Sequence, residues 1–322
     1  MVYQVSCCVE DFRIFEITFF SMKTIITGAT GFVGRNLSGY LTQQHINVQS
    51  LSLRDSDWKD KMDRKADAIV HLAGKAHDTE HTSASELYFK TNRDLTIRVF
   101  NVFLQSEIKD FLFFSSVKAV ADTVDGILTE DVKGNPQTPY GRSKHEAEQY
   151  LLGRKLPEGK RLFVLRPCMI HGPGNKGNLN LLYKIVEKGL PWPLAAFENK
   201  KTFLGIDNLN FAVLQMLKNP GLASGVYNLA DDRPLSTNEV VSLMSKVLEK
   251  KARLAKFPAG AIKTVARMGD FLPLPLNSER LKKLTENYVV SNQKIKTALN
   301  IKQLPLTAEE SFVKTIESFK NG

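Results

Sequence analysis

Thr24-Ile25-Ile26-Thr27-Gly28-Ala29-Thr30-Gly31-Phe32-Val33-Gly34 is the stretch that decides how this chain folds. A short apolar run, a glycine turn and the opening of a helix succeed one another without a gap. The run has the length and composition of a buried strand. Gly28 permits the tight turn after it, Gly31 lets the backbone approach a pyrophosphate, and Gly34 lets helix and strand pack closely. The helix start then offers free N–H groups and a positive dipole end to phosphate. The spacing is G-x-x-G-x-x-G, not the commoner G-x-G-x-x-G, so its weight comes from its place between strand and helix.

Outward from this stretch, strands and helices alternate. Strands are expected at about 48–53, 68–72, 111–114, 162–165 and 226–229. Helices are expected at about 87–103, with Val99, Val102 and Phe103 facing inward, and at 139–152, 181–187 and 208–217. Strands separated by helix-length segments imply right-handed βαβ units and an α/β fold, a Rossmann-like doubly wound parallel sheet. After Arg166-Pro167 the texture turns to Gly- and Pro-marked loops, which suggests a smaller C-terminal α/β unit. Ser236-x-x-Glu239 and Thr307-x-x-Glu310 read as capping boxes, the second opening a last helix striped by Phe312, Ile316 and Phe319. The dinucleotide-binding domain is placed at 22–170 with about 203–232 returning to it. The second domain takes 171–202 and 233–322. Residues 1–21 fit neither and lack a signal peptide's uninterrupted apolar core. They read as a poorly ordered extension, with Met22 the natural start of the fold.

The chain has 322 residues, 43% hydrophobic and 24% charged, ample for a large core and ordinary for a globular protein. No apolar run approaches the ~18 residues of a membrane span. Cys7, Cys8 and Cys168 give neither a disulfide framework nor a zinc spacing, so no metal is expected and a reducing cytoplasm fits. The formal net charge of +10 is spread over helices, as at Lys250-Lys251 and Lys282-Lys283, which reads as solvated faces plus an anion-binding cleft and not nucleic-acid binding.

Three residues can form a proton- and hydride-transfer site. Tyr140 and Lys144 lie four apart, on one helical face. An ammonium near the phenol lowers the tyrosine's pKa toward working pH. Ser116 comes just after the strand at 111–114, at the end where doubly wound sheets place ligands, and can bond the same substrate oxygen.

With these residues in family order, the chain resembles the extended short-chain dehydrogenase/reductases that act on nucleotide sugars. The matching residues are Gly28-x-x-Gly31-x-x-Gly34, His71-Leu72-Ala73-Gly74, Asn92, Ser115-Ser116, Tyr140-Gly141-x-Ser143-Lys144 and Arg166-Pro167 with Gly172-Pro173. The resemblance covers about residues 22–320. It implies that Tyr140 is the acid/base at the sugar C4 oxygen, that Lys144 lowers its pKa and holds the nicotinamide ribose, and that Ser116 aligns that oxygen. Cofactor contacts would come from Gly28, Thr30, Gly31, Phe32, Val33, Gly34, Leu72, Ala73, Gly74, Asn92, Ser115, Tyr140, Lys144 and Pro167. The second domain would then bind the nucleotide sugar. Its substrate contacts would be Asn178 and Lys201, with Ser116, Lys118 and Tyr140 from the first. Asn199-Lys200-Lys201 would hold the nucleotide, Lys201 meeting the diphosphate. His171 stands where many members have tyrosine and reads as a shape substitution.

Val117-Lys118 stand where 4,6-dehydratases of this family carry Asp-Glu, which disfavours elimination. Ser115-Ser116-Val117-Lys118 and the region 190–209, with Gly189-Leu190-Pro191 and Asn199-Lys200-Lys201, resemble a subgroup that reduces UDP-4-keto-6-deoxy-N-acetylhexosamines in making surface-glycan precursors. A UDP-hexose 4-epimerase shares the Ser, Tyr and Lys set and stands as the alternative. A non-catalytic dinucleotide-binding regulator or RNA-associated protein is a third reading. The cofactor is NADP(H) or NAD(H). Ser52 and Arg54, at the expected tip of the second strand, suit a 2′-phosphate, whereas Asp55 would reach ribose hydroxyls only if that strand ran on. The family often dimerises through the helices near 95–103 and 146–152, so a UDP-sugar and a second copy are the expected partners.

Overall fold

The computed structural model describes residues 22–75, 85–175, 178–272 and 276–320, with the Asn178 side chain outside that description. The 1–21 extension also lies outside it.

Among the described residues ten strands run in chain order: β1 (Lys23–Thr27), β2 (Asn47–Leu51), β3 (Ala68–His71), β4 (Asp110–Phe114), β5 (Ile127–Leu128), β6 (Arg161–Pro167), β7 (Met169–His171), β8 (Phe203–Gly205), β9 (Gly225–Leu229) and β10 (Val289–Val290). Six of them form one parallel sheet in the order β2-β1-β3-β4-β6-β9. The order reverses between β1 and β3, the switch point where such sheets open a crevice at their carboxyl ends. The register brings Thr27 beside His71, His71 beside Phe113, and Phe114 beside Leu165. The carboxyl ends of β1, β3, β4 and β6 therefore lie along one edge, and that edge gathers the glycine turn, Leu72–Gly74, Ser115-Ser116 and Cys168.

The central strands are mostly apolar because both faces are covered. All five residues of β4 are buried, Asp110 among them. Its carboxylate takes two bonds from Arg161, at 2.7 and 2.6 Å, at the other end of the sheet. One face packs Leu37, Leu41, Leu112, Phe163 and Leu209. The other packs Val99, Phe100, Phe103, Phe111 and Leu151, where Phe111 meets Phe100 and Phe103 at 5.2 Å between ring centres. Each such ring contributes roughly 2–3 kcal/mol by burial. A third cluster joins Leu182, Trp192, Phe203, Met244 and Phe312 in the C-terminal half. Both capping boxes are formed, Ser236 with Glu239 and Thr307 with Glu310.

Two elements differ from expectation. β2 stops at Leu51, two residues early. The helix expected at 87–103 is interrupted: Ser85–Tyr88 is helical, Phe89–Asp94 is a π-helical turn, and Leu95–Leu104 resumes the α-helix. The cause is Asn92, fully buried, whose side chain accepts from Lys75 N at 2.7 Å and donates to Lys75 O at 3.1 Å. Widened turns of this kind recur at functional sites.

Candidate active site

A cleft of about 740 Å³ lies along the carboxyl edge of the sheet, walled on its far side by residues 279–288. At one end is the glycine turn. Gly28 holds φ +73°, and a Cβ there would meet Ala73 N at 2.7 Å, so only glycine fits. A Cβ on Gly34 would lie 2.3 Å from Gly28 O, so helix and turn touch backbone to backbone. Gly31 caps the helix Phe32–Gln43 without a side-chain bond, and Gly31 to Gly34 line the cleft. A narrow backbone cradle at a helix start with uncapped amides fits a dinucleotide pyrophosphate. Leu72, Gly74, Ser115 and Pro167 line the same end.

At the floor stand Ser116, Tyr140 and Lys144. Thr138 caps the helix of Tyr140 and Lys144 (Pro139–Leu152) by accepting from Gly141 N, and Pro139 occupies its first turn. Tyr140, Lys144 and Glu148 then succeed one another a turn apart. Burial pushes Tyr140 above the usual tyrosine range, and the Ser116 side chain beside it pulls the other way. Tyr88 adds an edge-on ring at 6.2 Å.

Lys144 lies in the same cleft as Tyr140. Its ammonium donates to Phe114 O at 2.7 Å, lies 4.9 Å from the Phe113 ring and sits beside Gly74. Burial brings it down to about 8, partly offset by Glu148. One of its three N–H groups goes to the carbonyl end of β4, which leaves two for other partners. Asn92 lies behind it, donating to Ser143 Oγ at 3.1 Å, and Ser143 donates to Tyr140 O. His71 is held neutral, pushed down to about 3 by burial and then by Lys144, between Thr27 Oγ1 at 2.7 Å and Thr96 Oγ1 at 3.0 Å.

The other end of the cleft is basic. The Lys118 ammonium donates to Asp122 O at 2.7 Å and rests 4.1 Å from the centre of the Tyr288 ring. Lys201 donates to the carbonyl of Lys283, and burial brings it down to about 8, against the pull of Glu286. Both ammonium groups are thus engaged by main-chain carbonyls and keep further donors for an anion.

Several of the other expected contact residues already have partners of their own. Thr30 is exposed, and its carbonyl takes Arg35. Ala73 gives its N–H to Thr27 Oγ1 at 3.2 Å. Ser52 and Arg54 are exposed beyond the end of β2, and Asp55 beside them is occupied by Lys61 at 3.1 Å and Ser52 at 3.2 Å. Asn199 is buried on Thr237 and Leu284 instead of facing a ligand. His171 packs on Phe312 at 4.0 Å and bonds Thr315, away from the cleft. The Asn178 side chain lies outside the described residues.

The sequence reading missed Glu148, Tyr288 and the cleft-facing Lys282 and Lys283. Glu148 shares the face of Tyr140 and Lys144, a signal that spacing carries. Tyr288 heads a two-residue strand and carries no signal, yet its hydroxyl donates to Ala121 O at 2.7 Å and fixes the loop after Ser116. Lys282-Lys283 were read as solvated, because sequence cannot say what a helix face meets.

The family described as "NAD dependent epimerase/dehydratase family" matches residues 24–230. A UDP-glucose 4-epimerase from Vibrio cholerae is 28% identical over 318 residues, 92% of this chain and 94% of that protein. An N-acetyl-alpha-D-glucosaminyl-diphospho-ditrans,octacis-undecaprenol 4-epimerase from Escherichia coli O157:H7 is 28% identical over 246 residues, 71% of this chain and 73% of that protein. Among solved structures, the UDP-N-acetylglucosamine 4-epimerase from Bacillus cereus superposes with a TM-score of 0.74 at 19% identity, covering 94% of this chain and 100% of that one. That last likeness speaks for the fold.

Proposed function

The chain belongs to the NAD dependent epimerase/dehydratase family, and from that premise we propose that it reduces C4 of a UDP-4-keto-6-deoxy-N-acetylhexosamine with NADPH. The observation that carries this is the convergence of Ser116, Tyr140 and Lys144 on one cleft, which the glycine cradle and the basic residues Lys118 and Lys201 also line. A sugar bound with its diphosphate toward Lys201 has room to set its C4 oxygen between the two hydroxyls. The nicotinamide dinucleotide, when bound, supplies hydride to that carbon. Tyr140 gives its proton to the oxygen, converting ketone to alcohol, and solvent restores the phenol. Burial keeps Tyr140 protonated at neutral pH, which suits a proton donor in reduction. Ser116 orients the oxygen, while Lys144 and the Asn92 turn hold the ribose side.

Elimination is disfavoured at the residue level. The loop after Ser116 has Val117 and Lys118 in place of paired acids. The carboxylate nearest along the chain, Asp122, is engaged by Gln137 N at 2.7 Å and Thr138 Oγ1 at 3.0 Å. For the cofactor, Asp55 is already paired, and Arg54 is left to meet a 2′-phosphate.

A second reading, a UDP-hexose 4-epimerase with retained NAD⁺, is favoured by the length over which the Vibrio cholerae relative aligns. Mass spectrometry of cofactor released from the purified protein separates them, paired with NADPH and NADH oxidation against the 4-keto sugar. An exchangeable site with NADPH consumption supports the reductase. Stoichiometric NAD⁺ with no oxidation of added cofactor supports the epimerase.

A further inference from the structure

Residues 250–272 combine two features that solvent alone does not explain. Phe271 is 90% exposed, and Phe257, Val265, Met268 and Leu272 each expose 46% to 51% of their surface. The same stretch holds six basic residues, Lys250, Lys251, Arg253, Lys256, Lys263 and Arg267, against one acid, Asp270. That acid is already taken by Ser278, at 2.9 Å to its N–H and 2.6 Å to its hydroxyl.

At 100° per residue, the helix Ala259–Met268 turns Ile262 and Ala266 inward, Ala266 being fully buried. Its outward side then carries Val265 and Met268 on one flank and Lys263 and Arg267 on the other. Phe257 precedes this helix, and Phe271 and Leu272 come after it. Aromatic and aliphatic side chains interleaved with unopposed Lys and Arg match the surface of an anionic bilayer: apolar groups enter the acyl boundary while ammonium and guanidinium groups meet headgroup phosphates. Val265, Met268 and Leu272 surround Phe271 with exposed aliphatic surface, which acyl chains match better than nucleobases do.

We propose that residues 254–272 dock the protein peripherally on an anionic phospholipid surface. Among the described residues no helix is long and apolar enough to cross a membrane, so the contact is made from one side. The docking helix packs against the helix Ser278–Thr285, which supplies Glu279, Lys282 and Lys283 to the cleft wall. The bound protein therefore holds its cleft close to the headgroups. Docking of this kind depends on surface chemistry alone and is independent of the sugar reduced.

The test is flotation of the full-length protein with phosphatidylcholine vesicles with and without about 30% phosphatidylglycerol. Two variants are compared, Met268→Ser with Phe271→Ser and Lys263→Glu with Arg267→Glu. All four side chains are exposed, and unchanged circular dichroism checks the fold. Anionic vesicles should carry the wild type, neutral ones markedly less. Each variant should lose at least about tenfold in partitioning with turnover unchanged on soluble substrate. Absence of flotation, equal flotation on neutral vesicles, or flotation undiminished in both variants overturns the proposal. So does RNA retention on a filter without vesicle binding, or a dimer in sedimentation that the apolar variant breaks.

Discussion

Glu148 and Arg166 form a buried ion pair beneath Ser115, with Arg166 Nη2 2.6 Å from Glu148 Oε2 and Nε 3.0 Å from Oε1. Glu148 also accepts from the Ser115 hydroxyl, so one carboxylate ties the helix of Tyr140 to two strand ends. Removing one partner leaves a charge without compensation in a site closed to water. Glu148→Ala should therefore cost about 3–5 kcal/mol, read from denaturant unfolding. Replacing both, as Glu148→Leu with Arg166→Leu, should restore much of the loss. A double variant as unstable as the single one would show that the pair does more than satisfy itself.

Tyr140→Phe keeps the ring against Tyr88 and deletes the proton donor. Turnover should fall by about 10²–10⁴-fold, while the dinucleotide dissociation constant changes little. Steady-state kinetics and a fluorescence titration of bound cofactor provide the two readings. Retained turnover would remove Tyr140 from the chemistry.

The last two glycines of the turn should fail differently. Gly34→Ala drives a methyl to 2.3 Å from Gly28 O and should lower thermal stability whether or not cofactor is present. At Gly31 the nearest atom to a Cβ is Gly28 O at 3.3 Å, so Gly31→Val should fold and lose dinucleotide binding. A Gly31→Val protein that binds normally would place the pyrophosphate elsewhere.

Lys201 gives a pH dependence with a defined sign. Burial lowers it to about 8 from its usual 10.5, so as pH rises through about 8 the native protein loses this ammonium first. Between about 8 and 10.5 the unfolded chain binds the extra proton, and stability from this group rises with pH. Substrate contact runs the other way: an anion needs the charge, and KM for a UDP-sugar should climb about tenfold above pH 8. Lys201→Arg stays charged and should flatten that climb. An equal climb in the variant would mean another group titrates.

Local rules made much of this legible. The apolar runs of β3, β4 and β6, the glycine turn and the four-residue spacing of Tyr140 and Lys144 each arise from short-range geometry, and the structure brings them to one cleft. The features that stayed hidden depend on contacts between distant segments. The π turn exists because Asn92 reaches Lys75, seventeen residues back along the chain. The direction of the Lys144 ammonium is fixed by the Phe114 carbonyl, thirty residues earlier, and no spacing rule describes that. Tyr288 and Lys283 enter the cleft only because the C-terminal half folds across its mouth.

The claim that hydride reaches a sugar C4 is tested most directly with NADPH deuterated at the nicotinamide C4. The purified protein is incubated with the 4-keto sugar, and the product is read by mass spectrometry and NMR. One deuterium per product molecule is expected, at sugar C4, from one face of the labelled cofactor. An unlabelled product, or deuterium at another carbon, would contradict the transfer.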